Sequence, residues 1–296
     1  MSKTVITTDS GCNPRNMDNM VPCIVIDSNE INYYDMKKIS TNEKDTIEVI
    51  TNEEAFLRAS QGEKLHTSSP TINDYITLIT PYLENDIDVI HLSMGSGISA
   101  GSVNSSQMAA NTLNEKYGNR VYVIDTLTAG SGGTVIVDYA EDLLKKGQST
   151  KKIIEELQKI KSKILSSYYI SKVEGFISSG RAPKEAILSD KLSLRYRIDV
   201  NDKGKLFPKG VMHGGVHKQF MKYLKKIVNP SNVEQYNPNY LALLITKLNK
   251  IELEEAKDYL KSLDYFNEKN INEFMFYSAI ASYGVEDQVG IGLIKK

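Results

Sequence analysis

The chain contains no run approaching the roughly 18 consecutive apolar residues that a membrane-spanning helix needs, so no integral membrane contact is expected. It has almost no charge of one sign to spare: 36 Lys and Arg stand against 37 Asp and Glu, a formal net charge of −1. Nucleic-acid binding leaves a basic excess or stripe on a domain, and no nucleic-acid partner is expected here. The lysines that do cluster include Lys145, Lys146, Lys151, Lys152 and Lys159. They are interleaved with Glu155 and Glu156 in a helical pattern, which reads as a solvated helix face. Cysteine is scarce. Cys12 and Cys23 have no metal-ligand spacing, and free thiols in a reducing compartment are expected. The first residues lead into a strand, Thr4-Val5-Ile6-Thr7, without the apolar core of a secretory signal, which points to the cytoplasm.

What the chain does have is an ordinary globular composition, 41% hydrophobic and 25% charged, over 296 residues. That is enough for two domains, each with its own core. The most informative stretch runs from Asp88 to Asp125. A strand, Val89-Ile90-His91-Leu92, empties into a loop of Gly, Ser and Ala from Ser93 to Ser102. Val103, Ala109, Ala110 and Leu113 then recur at helical spacing, and a second strand, Val121 to Ile124, ends at Asp125. This βαβ pattern exposes backbone N–H groups at a helix N-terminus, where the helix dipole also favours an anion.

Three readings compete for that loop. Gly95-x-Gly97-x-x-Ala100, with Asp125 as a ribose ligand, matches a dinucleotide fingerprint and would make the protein a nucleotide-dependent enzyme. Gly97-x-Ser99-x-Gly101 matches a hydrolase nucleophile elbow. An elbow sits directly off its strand, whereas Met94, Gly95 and Ser96 intervene here, and His213 and His217 are the only later histidines available to a triad. The third reading is a carboxylate or phosphate site with no chemistry of its own.

The first half alternates strands and helices. Cys23 to Ile26 reads as a strand, Asn29 to Glu54 as loop and short helix, and Tyr75, Ile76, Ile79 and Leu83 mark a helix capped by Thr71 or Ser69, with Pro70 in its first turn. Gly130 to Lys146 is a helix stopped by Gly147, and Ser149 caps another carrying Ile153, Leu157 and Ile160. In the second half, Leu192 to Val200 alternates at period two and turns through Asn201-Asp202-Lys203-Gly204 into Lys205-Leu206-Phe207. A helix with Phe220 and Leu224 follows, then a strand at 240–245, a helix at 252–263, and final strands at 274–281 and 291–294. The expected fold is α/β with two domains: an N-terminal parallel α/β sandwich over 1–165, and a C-terminal mixed or antiparallel sheet with helices over 166–296.

In an open parallel sheet, ligands bind beyond the carboxyl ends of the strands. Three polar turns meet that condition: Thr8-Asp9-Ser10, Thr67-Ser68-Ser69 and Ser93 to Ser102. All are rich in hydroxyls and poor in His, Lys and Arg, an inventory that suits holding an anion by neutral hydrogen bonds better than moving protons. Each serine taken alone is more often a helix cap. Asp9 is expected to anchor its turn through hydrogen bonds. His213 and His217 flank two glycines without a nearby acid, and no metal site is expected.

Taken in order, these motifs resemble the DegV family. Thr8-Asp9-Ser10 is similar to its Thr-Asp-Ser turn, and Thr67-Ser68-Ser69-Pro70-Thr71 to its Thr-Ser-Gln-Pro-Ser stretch. Ser96 to Ser102 resembles its Ser-x-Leu-Ser-Gly-Thr loop with one residue more, Ile124-Asp125-Thr126 its Ile-Asp-Ser, and Ser179-Gly180-Arg181 its Gly-Gly-Arg. The resemblance implies the family's two-domain EDD fold and one long-chain fatty acid in a tunnel near the domain junction. It also implies a non-enzymatic role without a cofactor, in which the acyl carboxylate is presented to a separate fatty acid kinase subunit. By position, Thr67 or Ser68 and Ser96, with the Gly97 N–H, would hold the carboxylate, and Arg181 would lie near the headgroup opening. Ser282 stands where the family's His-x-Gly-Pro-Gly tail has its histidine, and Ser69 stands in place of glutamine.

Overall fold

A computed structural model describes residues 3–39, 47–170, 177, 180, 195–212, 216–246, 250–271, 273–282 and 288–296. The N-terminal unit is built on a wholly parallel four-stranded sheet. Its strands are β1 (Lys3–Asp9), β2 (Met20–Val21), β7 (Ile87–Ser93) and β8 (Val121–Asp125), in the order β2-β1-β7-β8. Both faces are covered, so the central strands read as apolar runs rather than as alternating ones. Successive residues still part to opposite faces. Val89 and Val121 pack under α2 (Ile72–Glu84) and α3 (Ala100–Tyr117), among Tyr75, Ile79, Ala109 and Leu113. Ile90, Leu92 and Ile124 pack on α4 (Gly130–Lys145) and α5 (Thr150–Ile160), among Ile136, Val137, Ala140 and Leu157.

The helix starts follow their sequence signals. The Thr71 side chain accepts from the Asp74 N–H, and the Asp74 carboxylate accepts from the Thr71 N–H at 2.7 Å, a reciprocal capping box. Thr71 is therefore the cap, and Pro70 lies just outside the helix instead of in its first turn. The Ser149 hydroxyl accepts from the Lys152 N–H at the start of α5, and Lys152 and Lys159 pair with Glu156 on its exposed side.

The C-terminal unit is a six-stranded mixed sheet in the order β11-β10-β9-β14-β12-β13. It comprises β9 (Ile164–Ile170), β10 (Arg195–Val200), β11 (Leu206–Met212), β12 (Tyr236–Ile245), β13 (Glu273–Met275) and β14 (Val289–Lys295). All pairs are antiparallel except β12 with β13. The outer face carries Tyr169, Leu243 and Ile291 against α6 (Val216–Ile227) and α7 (Lys250–Ser262), including Phe220, Leu224 and Leu260. The inner face carries Tyr168, Ile170, Ile198 and Leu244. Helix α4 lies between the two sheets, with Val135 against Tyr240, Ala242 and Ile294 of the second. Such burial demands a thin helix: a Cβ at Gly133 would stand 2.5 Å from the Cys12 Cα.

Two expectations are overturned. Residues 29–54 hold strands where loop and short helix were expected: β4 (Asn32–Asp35) and β5 (Glu48–Ile50) join β3 (Ile24–Ile26) and β6 (His66–Ser68) in a second four-stranded sheet, order β5-β4-β3-β6. Strands of three or four residues are too short to show a period, so only the helix α1 (Asn52–Ser60) was within reach. The apolar run 274–281 is not one strand; it divides into the end of β13 and a helical turn, α8 (Ser278–Ala281), because a short apolar run is equally compatible with strand and buried helix. No described helix is long and apolar enough to cross a membrane.

Candidate functional site

The loop after β7 is held from below by Asp9. Its buried carboxylate accepts from the Met94 N–H at 2.7 Å, the Tyr75 hydroxyl at 2.7 Å and the Ser93 hydroxyl at 3.1 Å. The fourth neighbour is the His91 Nε2 at 3.2 Å, while the His91 Nδ1 meets the Thr7 hydroxyl at 3.0 Å. Every lobe of the carboxylate is thus engaged, and Asp9 anchors the turn between β7 and the loop.

Asp125 is engaged as well. Its Oδ1 accepts from the Ser96 N–H and the Leu127 N–H, both at 3.0 Å, and so ties the glycine-rich loop to the one following β8. The loop glycines answer to the same closeness. A Cβ at Gly95 would lie 2.5 Å from the Thr128 N, and one at Gly97 would lie 2.5 Å from the Gly204 and Lys203 backbone. Backbone approach within the protein accounts for Gly95 and Gly97, and Asp125 has no free oxygen lobe aimed at a ribose through Oδ1. Ser99 caps α3, with its Oγ 2.9 Å from that of Ser102 and accepting from the Ser102 N–H. It has no histidine partner among these bonds, and His91 is committed to Asp9 and Thr7. His213 lies outside the described residues, and among those described no group of His, Cys, Asp and Glu could hold a metal.

Opposite the first turn of α3 stands the end of β6. This strand pairs antiparallel with β3, Thr67 opposite Val25 and Ser68 opposite Ile24, so Thr67 and Ser68 belong to an edge strand of the second sheet, not to a turn of the parallel one. Ser69 follows them and lies over Gly101. Between these hydroxyls and the inner face of the C-terminal sheet is a partly open, mostly apolar cavity, the kind of concave surface that takes a small organic ligand. Thr67, Ser68, Ser69 and Ser99 contribute its hydroxyls, and Met94, Ile98, Tyr168, Ile170, Ile198 and Leu206 most of its apolar wall. Among the described lining residues none is charged. An anion there meets hydroxyls and the leading N–H groups of α3, which have no intrahelical acceptor.

Helix α8 closes another side through Ala279 and Ile280. It is fixed by Asp35, whose Oδ1 bonds the Ser278 hydroxyl, which in turn reaches the Ile50 carbonyl at 3.0 Å. A serine has one proton to donate. Burial pushes the Asp35 carboxyl above the usual carboxylate range, and the single Ser278 proton is shared between the Asp35 carboxyl and the Ile50 carbonyl. Cys23 also lines the cavity; burial, then the neighbouring Asp9 and Asp35, pushes its thiol up. Cys12 and Cys23 are both buried and free.

The sequence-derived candidates are distributed as follows. Thr67 and Ser68 line the cavity. Ser96 and Gly97 share the loop with its lining residues Ile98 and Ser99 but are not themselves among the described lining. Ser282 is buried at the end of α8, where its hydroxyl donates to the Ala279 carbonyl at 3.0 Å. Arg181 and the tail residues 283–287 lie outside the described residues. Sequence reasoning did not single out Tyr168, Ile170, Ile280 or Gln288 as lining; the run Ile164 to Ile170, with no polar and apolar alternation, gives no sign of which face each side chain takes.

The family model described as "Uncharacterised protein, DegV family" matches residues 3–296. A DegV domain-containing protein of Clostridium perfringens is 26% identical over 239 residues, 78% of this chain and 79% of its own. Among solved structures, the Fatty Acid Kinase (Fak) B3 protein of Streptococcus pneumoniae loaded with linoleic acid superposes with a TM-score of 0.81, at 18% identity and full coverage of both chains. A DegV family protein from Thermus thermophilus, described for its fatty acid binding, gives a TM-score of 0.79 at 22% identity, again over both full chains. The chain belongs to the DegV family.

Proposed function

We propose that this protein binds one long-chain fatty acid between its two domains and is a binding protein, not an enzyme. The carrying observation is the cavity itself: an apolar wall, no charged residue among the described lining, and hydroxyls gathered where β6 meets the first turn of α3. A carboxylate would be held there by Thr67, Ser68 and Ser99 and by the helix dipole, with Ser96 and the Gly97 N–H as further donors from the same loop. The hydrocarbon would lie against Ile98, Ile170, Ile198 and Leu206. At about 0.8 kcal/mol per buried methylene, a dozen methylenes supply on the order of 10 kcal/mol before the cost of immobilising them.

Likeness to a fatty acid kinase B3 protein loaded with linoleic acid supports a second step, presentation of the carboxylate to a separate kinase for acyl phosphate formation. The same reading places the protein in the cytoplasm, requires no cofactor, and keeps the division into residues 1–165 and 166–296, close to the start of β9. A nucleotide enzyme is less well supported, since Asp125 is already bonded to the Ser96 and Leu127 N–H groups.

The test is a thermal-shift titration with fatty acids and with dinucleotides, since a ligand that binds only the folded state raises its stability by mass action. A rise with fatty acids alone is expected. Replacing Thr67 and Ser99 together by Ala should weaken binding at least tenfold, as hydrogen bonds to a charged group contribute about 1.5–3 kcal/mol each. A shift with dinucleotides alone would reverse the assignment.

A further inference from the structure

Gln288 is 1% exposed and lines the cavity, and its Oε1 has no hydrogen-bond partner. Its position is fixed by its backbone. The Gln288 N–H donates to the Thr246 hydroxyl at 3.1 Å, and the Thr246 N–H donates to the Gln288 carbonyl at 3.0 Å. Gln288 immediately precedes the Val289–Tyr169 pair, whose side chains face the outer core. Alternation therefore turns Gln288 inward, onto the face of Tyr168 and Ile170.

A buried amide among aliphatic groups is costly when unpaired. The Tyr168 hydroxyl, on the same face, is already used: it donates to the Ala129 carbonyl at 2.7 Å and accepts from Ser166 at 2.9 Å. A leucine would serve a saturated chain better. From this we infer that the cavity is built for an acyl chain carrying a hydroxyl, and that Gln288 is the residue that selects it; the inference rests on the fatty-acid reading above. Among the substituents an acyl chain carries, a double bond offers the amide oxygen no donor and a ketone offers only an acceptor. A hydroxyl both donates and accepts, and so satisfies the amide in either of its orientations. A site with an unpaired polar group discriminates strongly against the analogue that cannot pair with it.

The experiment compares stearic acid with a series of monohydroxystearic acids, the hydroxyl moved along the chain, for binding to the wild-type protein, Gln288→Leu and Gln288→Met. Wild type is expected to bind one isomer, or a few adjacent ones, about tenfold more tightly than stearate, equivalent to about 1.4 kcal/mol. Both variants should lose that preference and hold stearate at least as well as wild type does. Methionine keeps the unbranched length of glutamine, so one variant remains informative if the other folds poorly. Equal binding of stearate and every hydroxystearate by wild type would overturn the inference and assign the amide to a trapped water, while leaving the fatty-acid reading intact. So would a preference that persists in both variants. Absence of binding by any of these acids to wild type would overturn the fatty-acid reading and this inference with it.

Discussion

The Ser69 hydroxyl oxygen stands 2.4 Å from the point where a Cβ on Gly101 would begin. The missing side chain in the first turn of α3 is what lets β6 and the hydroxyls that follow it close over the helix start. Gly101→Ala should displace Ser69, a side chain able to rotate away, at little cost to the fold. Fatty-acid affinity should fall by about tenfold, equivalent to about 1.4 kcal/mol, with the Tm within a few degrees of wild type. A titration and a melting curve on the same sample check both halves of the statement.

Gly97→Ala should behave differently. Its Cβ would stand 2.5 Å from the Lys203 carbonyl oxygen and from the Gly204 backbone, atoms that no rotamer change can move. Overpacking of this kind costs roughly 1–3 kcal/mol, read as a lower urea midpoint, with the loop that carries Ser96 and Ser99 shifted. A Gly97→Ala protein as stable as wild type would show that the 201–204 turn yields freely.

The pH dependence of stability has a sign set by Asp35. Burial raises its folded pKa above the unfolded value of about 3.9, so the native state holds the proton more tightly. Its contribution is full below the unfolded pKa and declines as pH rises toward the folded one. Asp35→Asn imitates the neutral carboxyl and removes that decline. The stability difference, variant minus wild type, should therefore grow as pH rises from about 4 toward neutrality in matched urea titrations. A difference that stays flat would mean Asp35 is ionised in the fold at every pH tested.

Both cysteines should be silent toward thiol reagents in the native protein. Burial, then the charge of Asp9, pushes Cys12 up to about 12, and Cys23 is raised further. The thiolate is the reactive form. At mild alkaline pH neither thiol should react with a disulfide reagent until denaturant is added, whereupon two equivalents should react. In a Cys12→Ser protein, a bound fatty acid should slow labelling of Cys23 still more, because Cys23 lines the cavity. Fast native-state labelling would contradict the packing described.

Much of this arrangement was legible in the chain. The strand at 89–92, the loop and the strand at 121–124 form the βαβ unit that their periodicity indicates, whereas Thr67 and Ser68, expected in a turn of the parallel sheet, reach the cavity from an edge strand of the second one. The second sheet was not legible. Asn32 to Asp35 and Glu48 to Ile50 owe their strand geometry to pairing with each other and with β3, not to any local pattern. The glycines of the loop misdirect a reader toward a nucleotide, because backbone contact with Thr128 or Gly204 and backbone contact with a phosphate demand the same residue. Gln288 gives no signal at all. One polar residue before an apolar strand looks exposed until the register with β9 turns it inward.

The central claim is tested most directly by mass spectrometry of small molecules extracted from the protein after purification from a bacterial host. The account predicts a long-chain fatty acid at close to one equivalent. Protein that emerges empty, or that carries a nucleotide, would contradict it and return the loop from Ser93 to Ser102 to the phosphate reading.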